Sequence, residues 1–221
     1  MNVVRSISST ASYCSVLDPS GEVRLGMGDM AAHTHIDRRM VEETFEDFRQ
    51  KSLSPSLIVF DGNLSVDAMD AILGSARADE GVRGPAVLFE PTNMLKTHLP
   101  FQTTNYDVIT HTSPNYAELQ AMKHFLHHGH PLKSQELEQP ESLEELLERA
   151  VSDCKFVFSR TKLKMMIVTL AEHGVLISEE GGSKFKHYQV WPLTRFLSVL
   201  ICRKIIESFT WRYFFSRHGT L

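Results

Sequence analysis

The chain has 221 residues, of which 42% are hydrophobic and 23% charged, and its formal net charge is −4. This is the composition of an ordinary soluble globular protein, and it excludes a general electrostatic case for nucleic acid as a partner. The length supports one sizeable hydrophobic core and leaves two independent domains cramped. The charge is uneven, however. Trp191 to Leu221 hold five basic residues (Arg195, Arg203, Lys204, Arg212, Arg217) against Glu207 alone, so the preceding residues carry an excess of eight acids. Residues 1–190 are expected to form one domain, and 191–221 a basic, aromatic tail outside its pattern.

Taken in chain order, two β-rich stretches come first, Tyr13–Leu17 and Glu22–Met27. Pro19-Ser20-Gly21 between them signals a turn, and a hairpin is expected. A helix follows over about Asp37–Gln50, with Ile36, Met40, Thr44, Phe45 and Phe48 on one face. Leu57–Phe60 then reads as a buried strand. The next helix is N-capped by Ser65 and carries Val66, Met69, Ile72, Leu73 and Ala76 at helical spacing. Ala86–Phe89 is the second buried strand and Asp107–Thr110 a shorter third. Asn115–Phe125 reads as a helix. So does the segment opening at Ser142, where Ser-x-x-Glu to Glu145 predicts a capping box and Leu143, Leu146, Leu147, Ala150 and Val151 form an apolar stripe. Met165–Leu170 is the fourth strand, and Gly174–Ser178 with Phe185–Val190 a closing hairpin. Continuous apolar strands alternating with amphipathic helices predict an α/β fold, a mostly parallel sheet covered on both faces.

In such sheets ligands sit beyond the carboxyl ends of the strands. Asp61, Asn63, Glu90, Thr92, Asn115 and Glu118 follow three different strands and are expected to converge on that rim. Each has a plain structural reading beside the functional one. Asp61-Gly62-Asn63 is a turn sequence that needs no ligand. Glu90 is kept extended by Pro91 and reads equally as a ligand-binding carboxylate or a loop acid. Asn115-x-x-Glu118 is a helix cap, yet it also leaves an acid and an amide at a helix N-terminus, where phosphate and metal ions bind.

Other features carry less. His124, His127, His128 and His130 do not have the spacing of a known metal site and read as a solvated helix end. The acidic run Glu136–Glu148 reads as a solvated helix face. The three cysteines, Cys14, Cys154 and Cys202, are scattered and form neither a zinc pattern nor a disulfide framework. The N-terminus has no apolar signal region, and the apolar run Phe196–Cys202 is far too short to span a bilayer. A reduced, cytoplasmic setting without membrane contact is the expectation.

The ordered segments "IVFDGNLS", "VLFEPTN", "ITHTSPNYAEL" and "IVTLAEHGVLI" resemble the central portion of the PfkB, ribokinase-like carbohydrate kinases, and among them the pseudouridine kinases, including animal forms fused to a pseudouridine-5'-phosphate glycosidase. The opening "STASYCSVLDPSGEVRLGMGDM" is similar to that family's substrate lid. The resemblance runs from about Ser9 to Val190 and implies a ribokinase-like fold with part of a β lid at residues 1–30.

It further implies ATP-dependent phosphorylation of a sugar hydroxyl with Mg²⁺, on a small-molecule sugar or nucleoside; a homodimer through the lid hairpin is a separate expectation, tied to the non-catalytic alternative below. On this resemblance Asn115, Glu118, Thr169 and Gly174 bind the nucleotide, with Glu118 organising the metal. Asp61, Asn63 and Glu90 bind the substrate. The family has Gly where this chain has Ala171, and a Cβ there is expected to obstruct either a close approach of phosphate or a positive φ. The Gly-Ala-Gly-Asp segment that supplies the family's anion hole and general base is missing after Val190, and the substrate-binding Gly-Gly region is missing before Met1. The expectation is therefore a chain truncated at both ends, with no catalytic residue of its own and negligible kinase activity. The alternative is a non-catalytic nucleotide- or nucleoside-binding or dimerising protein.

Overall fold

The computed structural model describes residues 10–18, 23–78, 84–179 and 181–189. The tail 191–221, Val190, and the turn residues Pro19, Ser20 and Gly21 lie outside the described residues.

Two strands, β1 (Ser12–Leu17) and β2 (Val23–Asp29), pair antiparallel as the expected hairpin. They form a sheet of their own. Helix α1 (Arg38–Gln50) is N-capped by Asp37, whose carboxylate accepts the Met40 N–H. Its deepest side chain is Val41 rather than the residues assigned to its apolar face, of which Ile36 and Phe45 pack only at the core margin. The helix is held to its neighbour by polar contacts as well, because Arg38 bridges Asp67 at 2.7 Å and Asp70 at 3.1 Å.

The main sheet has six strands. β3 (Leu57–Asp61), β4 (Ala86–Glu90), β5 (His111–Thr112) and β6 (Met165–Thr169) run parallel in that order, and β7 (Val175–Glu179) and β8 (Lys184–Tyr188) close it antiparallel. The expected fold class is therefore the one observed. Helix α2 (Val66–Ala76), capped by Ser65, buries Ala68, Met69, Ala71, Ile72, Leu73 and Ala76. Helix α3 (Tyr116–His128) buries Leu119 and Met122, and α4 (Leu143–Arg160) buries Leu146, Ala150, Cys154 and Val157. These side chains join Val87, Phe89, Met166 and Val168 of the strands in one core.

Three expectations need correction. Asp107–Thr110 is not the third strand. Tyr106–Val108 forms a single 3-10 turn, and the strand begins only at His111. Asp107 is held in that turn by ion pairs to Arg77 and Lys162. Thr110 meets β4 through its backbone N–H, which donates to the Val87 carbonyl at 3.0 Å, and through its side chain, whose hydroxyl oxygen accepts the Val87 N–H at 2.8 Å. At Ser142 the cap is one-sided. Ser142 accepts the Glu145 N–H, but the Glu145 carboxylate turns back to the Glu141 N–H instead. The acidic run is likewise not one helix face: Glu138 precedes α4, and its backbone is tied to the Gln120 amide in both directions.

Candidate functional site

The parallel register places Asp61 directly beside Glu90 at the carboxyl ends of β3 and β4. Gly62 makes this possible. Its N–H donates to the Glu90 carbonyl at 2.9 Å, and an added Cβ would stand 2.4 Å from the Pro91 carbonyl oxygen. The Asp-Gly-Asn sequence is thus a turn, as its plain reading holds, and the turn is locked against the neighbouring strand end. Asp61 accepts the Asn63 N–H and the Asn63 side-chain amide, both at 2.9 Å. The Asn63 carbonyl in turn accepts from the Lys96 ammonium at 2.6 Å.

The second loop carries backbone strain. Thr92 has φ +73°, a conformation that a β-branched residue adopts only where the surroundings impose it. Its hydroxyl oxygen accepts the Gly62 N–H at 3.1 Å, which binds the two loops to each other. Glu90 sits between them and receives a hydrogen bond from the Ser113 hydroxyl. Burial raises its pKa above the ordinary carboxylate value. The Ser113 hydroxyl and the Thr92 N–H pull it down, and the neighbouring charge of Asp61 adds to the rise.

The third contribution comes from α3. Asn115 and Glu118 form a complete capping box: Asn115 accepts the Glu118 N–H at 2.9 Å, and Glu118 accepts the Asn115 N–H at 2.7 Å. Glu118 is only 4% exposed, unusually deep for a capping acid. Burial raises its pKa, the Asn115 N–H opposes the rise, and the charge of Glu90 reinforces it. Thr169 reaches the same place, because its N–H donates to the Pro114 carbonyl at 3.0 Å and it bridges Asn115 as a parallel partner.

Asp61, Asn63, Glu90, Thr92, Asn115, Glu118 and Thr169 therefore share one end of the parallel sheet. Gly174 stands apart in kind. Its φ is +96°, and a Cβ there would meet the Tyr188 carbonyl oxygen at 2.0 Å, so the need for glycine is met by packing against β8. Ala171 adopts φ +51°, the left-handed conformation anticipated for that position, despite its side chain. Sequence reading missed Lys96 and Ser113. Lys96 lies 33 residues from Asn63 with no local pattern to link them, and Ser113 precedes a proline in what reads as a plain loop.

Among the described residues no group of three or more His, Cys, Asp or Glu side chains is placed to hold a metal ion. No helix among them is long and apolar enough to cross a membrane. Cys154 is buried in the core, which pushes its thiol up to about 12, and Cys14 is free and exposed.

Comparison with known proteins matches this geometry to a fold and a relative. No family profile matches the chain. A pseudouridine kinase of Arabidopsis thaliana is 31% identical over 179 residues, covering 80% of this chain and 44% of that protein. Among solved structures, a ribokinase of Cryptococcus neoformans var. grubii serotype A superposes with TM-score 0.57 at 13% identity, covering 86% of this chain and 54% of the other. A ribokinase of Giardia lamblia gives TM-score 0.53 at 13% identity, with 85% and 50% covered. A carbohydrate kinase of Agrobacterium tumefaciens gives 0.50 at 17% identity, with 82% and 47% covered. The chain spans about half the length of the relatives it matches. The chain has a ribokinase-like fold, with sequence likeness to part of a pseudouridine kinase.

Proposed function

We propose that the rim binds a nucleotide together with a sugar or nucleoside of pseudouridine type, in the manner of a PfkB carbohydrate kinase. The observation that supports this reading is the convergence of Asp61, Glu90 and Glu118, from two strand ends and one helix start, into an acidic group in which burial and the charge of Asp61 raise the pKa of Glu90, and burial and the charge of Glu90 raise that of Glu118. Carboxylates gathered at a sheet's ligand end cost desolvation free energy, and a hydroxyl-bearing substrate or a hydrated cation relieves that cost. The curated relative is a pseudouridine kinase, and the Cryptococcus ribokinase was solved with ADP.

On this reading Asp61, Asn63 and Glu90 take the substrate hydroxyls, with Lys96 orienting Asn63. Asn115, Glu118 and Thr169 face the nucleotide phosphates. Gly174 supports that side by holding the β6–β7 turn closed. Mg²⁺ takes oxygen donors and is held by one or two carboxylates plus substrate phosphates rather than by a protein cage. Glu118, with one oxygen engaged in the cap, would fit such a single-carboxylate role. Bound there, the ion neutralises phosphate charge.

Phosphoryl transfer also needs donors around the transferred group and a base at the attacking hydroxyl. The sequence contains no Gly-Ala-Gly-Asp to supply them. Binding with negligible turnover is therefore the expected behaviour, since base assistance alone is worth about 10²–10⁴-fold. Isothermal titration with ATP·Mg²⁺ and with pseudouridine, followed by a coupled ADP-release assay, tests this. Binding of both without ADP release is expected. Turnover would mean that another acid serves as base, and no binding of either ligand would overturn the reading.

A second reading, a non-catalytic dimerising protein, draws on the hairpin. Tyr13, Val16, Leu17, Leu25 and Met27 are each about half exposed or more, an apolar surface large for so short an element. Sedimentation of the full chain distinguishes a dimer from a monomer, and a monomer at all concentrations would remove this reading.

A further inference from the structure

Helix α3 ends in a group of four imidazoles that the rim does not use. His124, His127 and His128 lie in its last turns, and His130 follows the C-cap Gly129, which turns the chain with φ +77°. That turn folds His130 back over the helix end. The His124 and His130 rings stand edge to face with centroids 4.8 Å apart, and His124 Nε2 lies 3.3 Å from His130 Nδ1.

This separation is at the long end for a hydrogen bond, and His130 Nδ1 lies equally far, 3.3 Å, from the Pro131 carbonyl oxygen. The separation of the two nitrogens is, however, the edge of a tetrahedral site: two nitrogens each about 2.05 Å from one zinc ion stand about 3.3 Å apart. Imidazole nitrogen also suits borderline divalent metals. His128, one turn after His124 with ring centroids 4.5 Å apart, is the nearest further imidazole. His127 stands 4.4 Å from the His128 ring and packs on Phe156 of α4 at 5.5 Å. The linear spacing conceals the pair, because the left-handed turn at Gly129 brings the two nitrogens together.

We infer that His124 and His130 form a two-imidazole site for a borderline divalent metal of the Zn²⁺ class, which staples the last turn of α3 to the segment beyond its C-cap. Water completes the coordination. The site is independent of the rim: its helical ligand His124 lies nine residues beyond Asn115, about 14 Å of helix rise.

The test uses the full chain without a polyhistidine tag, titrated with zinc sulfate in a non-chelating buffer. The wild type is compared with His124→Ala, His130→Ala and, as control, His127→Ala; circular dichroism checks each fold. Saturable binding is expected in the wild type, weakened at least about tenfold by His124→Ala and by His130→Ala, and within about twofold of the wild type in His127→Ala. Zn²⁺ is also expected to raise the midpoint of thermal unfolding in the wild type and not in His130→Ala. Absence of saturable binding in the wild type, or equal weakening in all three variants, would overturn the inference. The first result would leave a solvated helix end, and the second would mean diffuse binding to surface imidazoles.

Discussion

The carboxylate rim and the β1–β2 hairpin are both built from short strands joined by tight turns, yet they are held in opposite ways. Behind the rim lie Phe60, Phe89 and Leu73, all in the core, and its loops are cross-bonded through Gly62, Thr92 and Ser113. Among the described residues the hairpin contributes none to that core, and every residue of β1 is exposed. An isolated two-stranded sheet is marginal in water, so the hairpin depends on what it meets, whereas the rim is pre-formed. Rigidity at the rim keeps the acids together.

The widest contrast is expected from truncating apolar side chains. Leu73→Ala removes a fully buried side chain behind the rim and is expected to cost about 2–5 kcal/mol in denaturant unfolding. Val16→Ala, at a residue 48% exposed in the hairpin, is expected to stay within about 0.5 kcal/mol. Similar losses would mean that the hairpin is part of the folded unit.

Two glycines sharpen the point, because both have close neighbours and only one of those can move. A Cβ at Gly62 meets the Pro91 carbonyl oxygen at 2.4 Å, which is backbone, and Gly62→Ala is expected to cost about 2 kcal/mol. A Cβ at Gly26 meets the Tyr13 hydroxyl at 2.1 Å, the far end of an exposed side chain that can swing aside, so Gly26→Ala is expected to cost less than about 0.5 kcal/mol.

Asn115→Ala removes the side-chain half of the cap and is expected to cost about 1 kcal/mol. The smallest effect is read from pH. Glu90 and Glu118 have raised pKa values in the folded state, so the folded chain holds their protons more tightly than the unfolded one. Their contribution to stability is fully present below the unfolded value near 4.5 and is lost as pH rises through their folded values. Glu90→Gln is expected to flatten that decline, and an unchanged slope would mean that Glu90 is not buried among acids.

Much of this was legible in the residues. The apolar runs located β3, β4 and β6; burial is nearly continuous in β4 and β6, whereas β3, expected to be buried, is an edge strand with Val59 58% exposed. Ser65 and Asn115 announced their helices because capping is local chemistry. The third strand was misplaced because Asp107 is held by Arg77 and Lys162, partners far away in sequence. Val41 was overlooked in α1 because the choice of inward face depends on where α2 lies. At the rim, the acids could be read from their positions after strands, but Lys96 and Ser113 could not. Each meets its partner only through the fold, and the strain at Thr92 has no trace in sequence at all.

The most direct test of the rim as the binding site is titration of ATP·Mg²⁺ into the wild type, Glu118→Gln and Val16→Ala. Glutamine keeps an oxygen for the Asn115 N–H, so the cap survives while the charge is removed. The expected result is binding to the wild type and to Val16→Ala with equal affinity, weakened at least about tenfold in Glu118→Gln. Equal affinity in all three proteins would contradict the assignment of the nucleotide to the start of α3.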